Sequence, residues 1–133
     1  MGVDWERKGG PLALEVAQTL NQQGIDTELW VVGCQPQVEG DLPRFVKPYG
    51  FVDRATPAGE AKFSHLLSSA HFLIFPTKAD TFGVAISEAN AVGVPCVAAA
   101  VGAFLRCCGP MSMARRFPQG PAPKTMPSTL PLF

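Results

Sequence analysis

His71-Phe72-Leu73-Ile74-Phe75-Pro76-Thr77-Lys78-Ala79-Asp80-Thr81-Phe82-Gly83-Val84-Ala85-Ile86-Ser87-Glu88-Ala89-Asn90-Ala91-Val92-Gly93-Val94-Pro95-Cys96-Val97 contains three elements in a row. His71–Phe75 is a short apolar run of strand length, and Pro76 ends it. Phe82–Val92 reads as a helix that is apolar on most sides and is closed by Gly93. Val94–Val97 begins another strand. A strand, a crossover helix and a second strand in this order predict a parallel pair with a right-handed connection.

The alternation continues upstream. Pro57–Ser69 reads as a helix with Phe63, Leu66, Leu67 and Ala70 on one face. Before it, Phe45-Val46 to Phe51-Val52 reads as a short strand interrupted by Pro48, with Phe51 expected to pack in the core. Thr27–Val32 is a buried strand ending at Gly33. Gly9-Gly10-Pro11 opens the first helix, because proline near the first turn removes a donor that has no partner there. Leu12, Val16 and Leu20 recur along it at helical spacing, flanked by Ala13 and Ala17, and Gly24 closes it. The fold class expected is α/β, a parallel sheet flanked by helices. Ligands of such sheets bind beyond the carboxyl ends of the strands, so the loops there hold the candidate chemistry.

A chain of 133 residues that is 47% hydrophobic can form one core and not two. Eleven basic and eleven acidic side chains cancel, which removes any general electrostatic reason to bind nucleic acid or an anionic membrane. No apolar run approaches the ~20 residues of a transmembrane helix, and the first residues do not have the pattern of a signal peptide. Cys34, Cys96, Cys107 and Cys108 lack the paired spacing of a zinc site. Small buried thiols and a reducing, cytoplasmic setting are expected. His65 and His71 read as a surface and a strand residue, and no metal site is expected.

Two loops concentrate charge. In Gly2-Val3-Asp4-Trp5-Glu6-Arg7-Lys8-Gly9-Gly10, Arg7 and Lys8 stand just before a helix N-terminus. Free amides and the positive end of the helix dipole favour a phosphate there. Read alone, spacing favours ordinary solvated surface charges for the two cations. In the loop after Phe75, Asp80 lies at the next helix N-terminus and Glu88 two turns into the helix among apolar neighbours. Asp80 reads as a cap or a ligand contact. Glu88 needs either an ion-pair partner or a ligand hydroxyl. Tyr49-Gly50-Phe51-Val52 ends a strand beside these loops.

Taken in this order, the segments resemble the donor-binding, C-terminal domain of retaining glycosyltransferases of the two-domain GT-B fold, family four, also described as glycosyl transferases group 1. The resemblance covers residues 2–101. It rests on Gly-x-Asp-Trp-x-Arg-Lys-Gly-Gly, on Leu29-Trp30-Val31-Val32-Gly33, on two carboxylates eight positions apart at Asp80 and Glu88, and on Glu88-Ala89-Asn90-Ala91-Val92-Gly93-Val94-Pro95. It implies a Rossmann-like domain that binds a nucleoside-diphosphate sugar without another cofactor. Arg7 and Lys8 would hold the diphosphate and stabilise the leaving nucleotide. Asp80 would accept from sugar hydroxyls, where the family usually has Glu. The amides of Phe82, Gly83 and Val84 would contact sugar and phosphate, Glu88 the ribose, and Gly50, Phe51 and Val52 would lie near the base. The resemblance further implies that the domain is incomplete at both ends. An acceptor-side domain and the first strand would precede Met1, and the isolated chain is expected to be inactive. A stand-alone nucleotide or sugar-phosphate binding module and a non-functional gene remnant stand as alternatives.

Residues 102–133 break the pattern. They are rich in proline, contain no Asp or Glu and show neither period. Such a segment does not bury enough apolar surface in register to offset its ordering entropy, so a disordered tail is expected. Back-translation with a one-base shift from Val101 permits Gly-Gly-Val-Pro-Glu, the loop that the resemblance calls for at that point. The tail is therefore expected to be frame-shifted. Sequencing the encoding DNA checks this: the alternate frame should spell that loop, and codons that do not spell it refute the shift.

Overall fold

Helix α1 (Gly10–Gln22) begins where the backbone turns through Gly9, which is left-handed at φ 77°, and Pro11 lies in its first turn. An L-residue is disfavoured in that conformation. The computed structural model describes residues 4–78, 80, 83–99 and 130–132. The buried side of α1 is Gly10, Ala13 and Ala17. Leu12, by contrast, is 50% exposed, so the contact stripe is displaced from the one expected through Leu12. Small residues on this stripe let the helix backbone lie close to the strands.

Asn21 joins the end of α1 to strand β1 (Thr27–Val32). Its amide donates to the Thr27 carbonyl at 2.9 Å and accepts from the Thr27 N–H at 3.2 Å. β1 is buried at the alternate positions Thr27, Leu29 and Val31, and at Val32 as well. Strand β2 (Val46–Gly50) pairs with it in parallel. The expected interruption at Pro48 does not occur: Pro48 stands opposite Val31, and the register slips one residue further on, so that Val32 faces Gly50. β2 is an edge strand, where a residue without an N–H is tolerated. Phe51, expected in the core, is 74% exposed. The chain leaves the strand at Gly50, and the ring goes with it to the surface.

Thr56 caps helix α2 (Pro57–Ser69), its hydroxyl accepting from the Gly59 N–H at 3.1 Å. As expected, α2 buries Phe63, Leu66 and Leu67. Strand β3 (Leu73–Phe75), helix α3 (Val84–Ala91) and strand β4 (Cys96–Ala98) form the strand–helix–strand unit, and β3 and β4 pair in parallel. α3 buries one side only, through Ile86 and Ala89, while Val84 is exposed; the apolar character on most sides does not translate into burial on most sides. Strand β5 (Leu130–Leu132) pairs in parallel with Thr27–Leu29, giving the order β2-β1-β5 beside the pair β3-β4, so that these three residues depart from the disordered tail expected over 102–133. The remainder of residues 102–133 lies outside the described residues.

Two apolar clusters lie on opposite faces of the strands. On one, Ala13 and Ala17 of α1 meet Trp5, Leu29, Val31 and Val46, with Phe72 and Ile74 packed against them. On the other, α2 and α3 meet Val32, Leu73, Phe75 and Val94. β1 and β3 contribute to both clusters, since successive strand side chains point to opposite faces. The result is a Rossmann-like α/β layer, helices flanking short parallel strands. No helix among the described residues is long and apolar enough to cross a membrane.

Glycine at position 9 is a steric requirement as well as a conformational one. A Cβ there would lie 2.1 Å from the Pro76 carbonyl oxygen, whereas at Gly24, also at positive φ, it would meet nothing within 4 Å. Gly24→Ala should therefore cost roughly 1 kcal/mol and Gly9→Ala about 2–4 kcal/mol. Denaturant midpoints of the two variants check the order, and equal losses would contradict the packing argument.

Candidate functional site

The turn before α1 and the loop after β3 are joined backbone to backbone. Pro76 crowds Gly9, the Lys78 N–H donates to the Arg7 carbonyl at 2.9 Å, and the Thr77 hydroxyl donates to the same carbonyl at 3.3 Å. Beneath this seam, Trp5 is buried against Gly10, where a Cβ would come within 2.2 Å of the indole ring. Two loops distant in sequence are thus fixed at the carboxyl end of β3.

The seam brings Lys8 to Asp80. Their side chains form a hydrogen-bonded ion pair, both more than four-fifths buried. The Lys8 ammonium also lies 5.2 Å from the centre of the Phe75 ring. The other oxygen of Asp80 accepts from the Gly83 N–H at 2.9 Å, and Gly83 is the left-handed residue that starts α3. Asp80 therefore holds the turn that leads into α3, without capping the helix, and is the partner of a cation. Val84 opens α3 and is 62% exposed. The first amides of a helix have no acceptor within it, and they carry the positive end of its dipole. Phe82 lies outside the described residues.

The neighbouring cation is arranged differently. The Arg7 guanidinium is half exposed and lies 3.4 Å from Asp4, whose carboxylate also accepts from the Arg7 N–H at 3.0 Å. Its backbone belongs to the seam, while its side chain faces solvent.

Glu88 lies further along α3 and engages Arg54, with Nη1 donating to Oε1 at 2.5 Å. Arg54 also reaches Glu60 of α2, from Nε at 2.8 Å and Nη2 at 3.3 Å. Sequence reasoning gave Glu88 an ion-pair partner as one option but missed Arg54. The Asp53-Arg54 loop before α2 carries a cation at a strand's carboxyl end, and that was the available signal. Gly50 is left-handed at φ 66° and accepts through its carbonyl from Gly33 at 2.8 Å. Val52 packs against the α2–α3 cluster. Of the three residues expected near a base, Phe51 alone presents a large apolar face to solvent.

A cleft of about 50 Å³ adjoins Lys8, lined by Gly10, Trp30, Val32, Cys34 and Pro76 among others. It is far smaller than the several hundred Å³ of a typical ligand pocket. Burial raises the pKa of the Cys34 thiol above its ordinary value.

These features define a Rossmann-like α/β domain with Lys8 and Asp80 paired in the loops at the carboxyl end of β3 and Arg54 joined to Glu88 of α3. The family of glycosyl transferases group 1 matches residues 1–111, a span that includes every candidate site residue, and the chain belongs to that family. No curated protein and no solved structure matches the chain.

The Arg54 cluster has a definite pH dependence. The hydrogen bonds from Arg54 hold the Glu60 carboxyl below its ordinary value of 4.5. Glu60 in turn, followed by Glu88, raises the pKa of the Arg54 guanidinium. A carboxyl with a depressed folded-state pKa adds stability that is present above its unfolded value and is lost as pH falls through the folded one. The Glu60 contribution should therefore be complete above pH 4.5 and disappear below it. A carboxyl NMR titration should place the Glu60 midpoint below that value, and Arg54→Ala should return it to the ordinary range. An unshifted midpoint in the unmodified chain would contradict the arrangement.

Proposed function

We propose that the chain forms the donor side of a glycosyl transfer site and binds a nucleoside-diphosphate sugar. The observation that carries this reading is the Lys8–Asp80 pair at the N-terminus of α3, within a chain of the glycosyl transferases group 1 family. A diphosphate is the better anion for this place. It carries more charge than a carboxylate, and it can engage Lys8 together with the first amides of α3. On binding, the diphosphate takes Lys8 from Asp80, and the released carboxylate accepts from the donor-sugar hydroxyls. Arg7, half exposed beside Lys8, closes on the phosphates from the solvent side.

The chemistry follows from charge. When the glycosidic bond to the diphosphate breaks, negative charge builds on the leaving phosphate. Fixed cations and amides around that atom stabilise the transition state more than the ground state. Lys8, Arg7 and the amides at the start of α3 have this role in the reading, and no metal or other cofactor is assigned. Glu88 binds the ribose hydroxyls, and the base lies near Gly50, Phe51 and Val52, against the exposed Phe51 ring. Donor binding is assigned to residues 1–101, and residues 102–133 are given no part in it.

Calorimetric titration tests the assignment. Replacing Arg7 and Lys8 together by Ala should weaken nucleoside diphosphates and inorganic diphosphate alike, by about tenfold or more for each cation removed. Glu88→Gln should weaken nucleoside diphosphates and spare inorganic diphosphate. Unchanged affinities in both variants would overturn the site.

A further inference from the structure

Arg54 is held on three sides. Its Nε and Nη2 grip both oxygens of Glu60 in the first turn of α2. Its guanidinium lies 4.1 Å from the centre of the Phe63 ring, and Phe63 is itself buried. Its backbone is fixed by the turn into α2, where the Ala55 N–H donates to Asp53 at 3.0 Å and Thr56 caps the helix. The remaining nitrogen, Nη1, is directed away from α2 and donates to Oε1 of Glu88 at 2.5 Å. The planar fork of arginine makes this possible, since one edge binds a carboxylate in two places while the remaining corner points elsewhere.

The arrangement is directional. Glu60 and Phe63 belong to α2 and Glu88 to α3, so Arg54 transfers the rigidity of one helix to a side chain on the other. Arg54 occupies Oε1 of Glu88, and among the described residues no hydrogen bond reaches Oε2. A glutamate on an exposed helix face has several rotamers to lose when it binds a ligand. One already clamped through Oε1 has lost them in advance and presents Oε2 in a fixed place.

We infer that Arg54 is a positioning residue for Glu88, holding its carboxylate ready to accept from the ribose hydroxyls of a ribonucleoside diphosphate, an inference that rests on the donor-binding reading above. Glu60 and Phe63 hold Arg54 in turn. Arg54 touches neither phosphate nor sugar in this arrangement; its effect passes through Glu88 and is confined to the ribose.

Discrimination between ribose and deoxyribose reads this effect directly, because the stability of the domain does not by itself change the ratio of two affinities. UDP, GDP and ADP are titrated with the full chain beside their 2′-deoxy forms and inorganic diphosphate, and the tightest nucleotide is carried forward. Arg54→Ala should weaken the ribonucleotide about three- to tenfold, the range for one freed side chain. It should also bring the ribo/deoxy ratio towards one and leave inorganic diphosphate unchanged. Arg54→Lys keeps the charge but cannot hold Glu60 and Glu88 together, and should fall between the two. It also serves as the readout if the Ala variant fails to fold. If Glu88→Gln abolishes the ribose preference while Arg54→Ala and Arg54→Lys leave it intact, Glu88 acts alone and the inference is overturned, with the donor reading standing. If the unmodified chain shows no ribose preference, or Glu88→Gln does not alter it, the assignment of Glu88 to ribose falls, and the inference falls with it.

Discussion

The approach of Gly9 to the carbonyl of Pro76 is the constraint on which the site depends. No side chain fits between them, so the turn before α1 and the loop after β3 meet at the distance of two backbones. The hydrogen bond from Lys78 to Arg7 and the buried ring of Trp5 under Gly10 close the same seam. Lys8, Asp80 and Gly83 all follow from it. Lys8 is the residue before the contact, Asp80 lies two residues after Lys78, and Gly83 receives the carboxylate that Lys8 has oriented. Without the seam, the two charges would sit on independent loops and pair only weakly in solvent.

The candidate site residues fall in a pair and a triad, which differ in kind. Lys8 and Asp80 are largely buried and supported by a ring and an amide. Arg54, Glu60 and Glu88 are more exposed, and their order comes from the planar fork of the arginine rather than from exclusion of water. In the proposed reading the first arrangement suits an exchange of partners, a diphosphate taking the place of Asp80 beside Lys8. The second suits a place where a carboxylate must stay where it is. In the proposed reading, this difference separates the phosphate end of the donor from its ribose end.

Much of the fold was legible because its signals are local. Leu29–Val32 is an apolar run closed by Gly33, proline marks the first turns of α1 and α2, and Gly24 follows the end of α1. The pairing of Lys8 with Asp80 was not legible as a contact, although both residues were singled out, because the seam that joins them spans about 70 residues of sequence. Leu12 and Phe51 were misplaced for a related reason. Hydrophobicity says that a side chain favours burial, but whether it is buried depends on how closely neighbouring backbones approach. Ala13 and Ala17 allow α1 to lie on the strands in a way that leaves Leu12 outside, and the turn at Gly50 carries Phe51 off the sheet. Arg54 escaped notice because its three partners, Glu60, Phe63 and Glu88, are on two helices, and nothing in a single helical period connects them.

The parallel pairing of Leu130–Leu132 with Thr27–Leu29 bears on the order in which the domain assembles. The two segments are about a hundred residues apart along the chain, while α1 and β1 are neighbours in sequence and share Asn21. Contacts between near neighbours close small loops and form quickly; a contact across such a span must wait until the intervening entropy has been spent on other structure. β1 therefore acquires α1 early, on one face, and its partner strand β5 late, along one edge. A ribosome imposes the same order, since Thr27–Leu29 emerges long before Leu130 is added. During that interval the edge of β1 is open, and this nascent stage is when the chain is most exposed to pairing with the wrong strand.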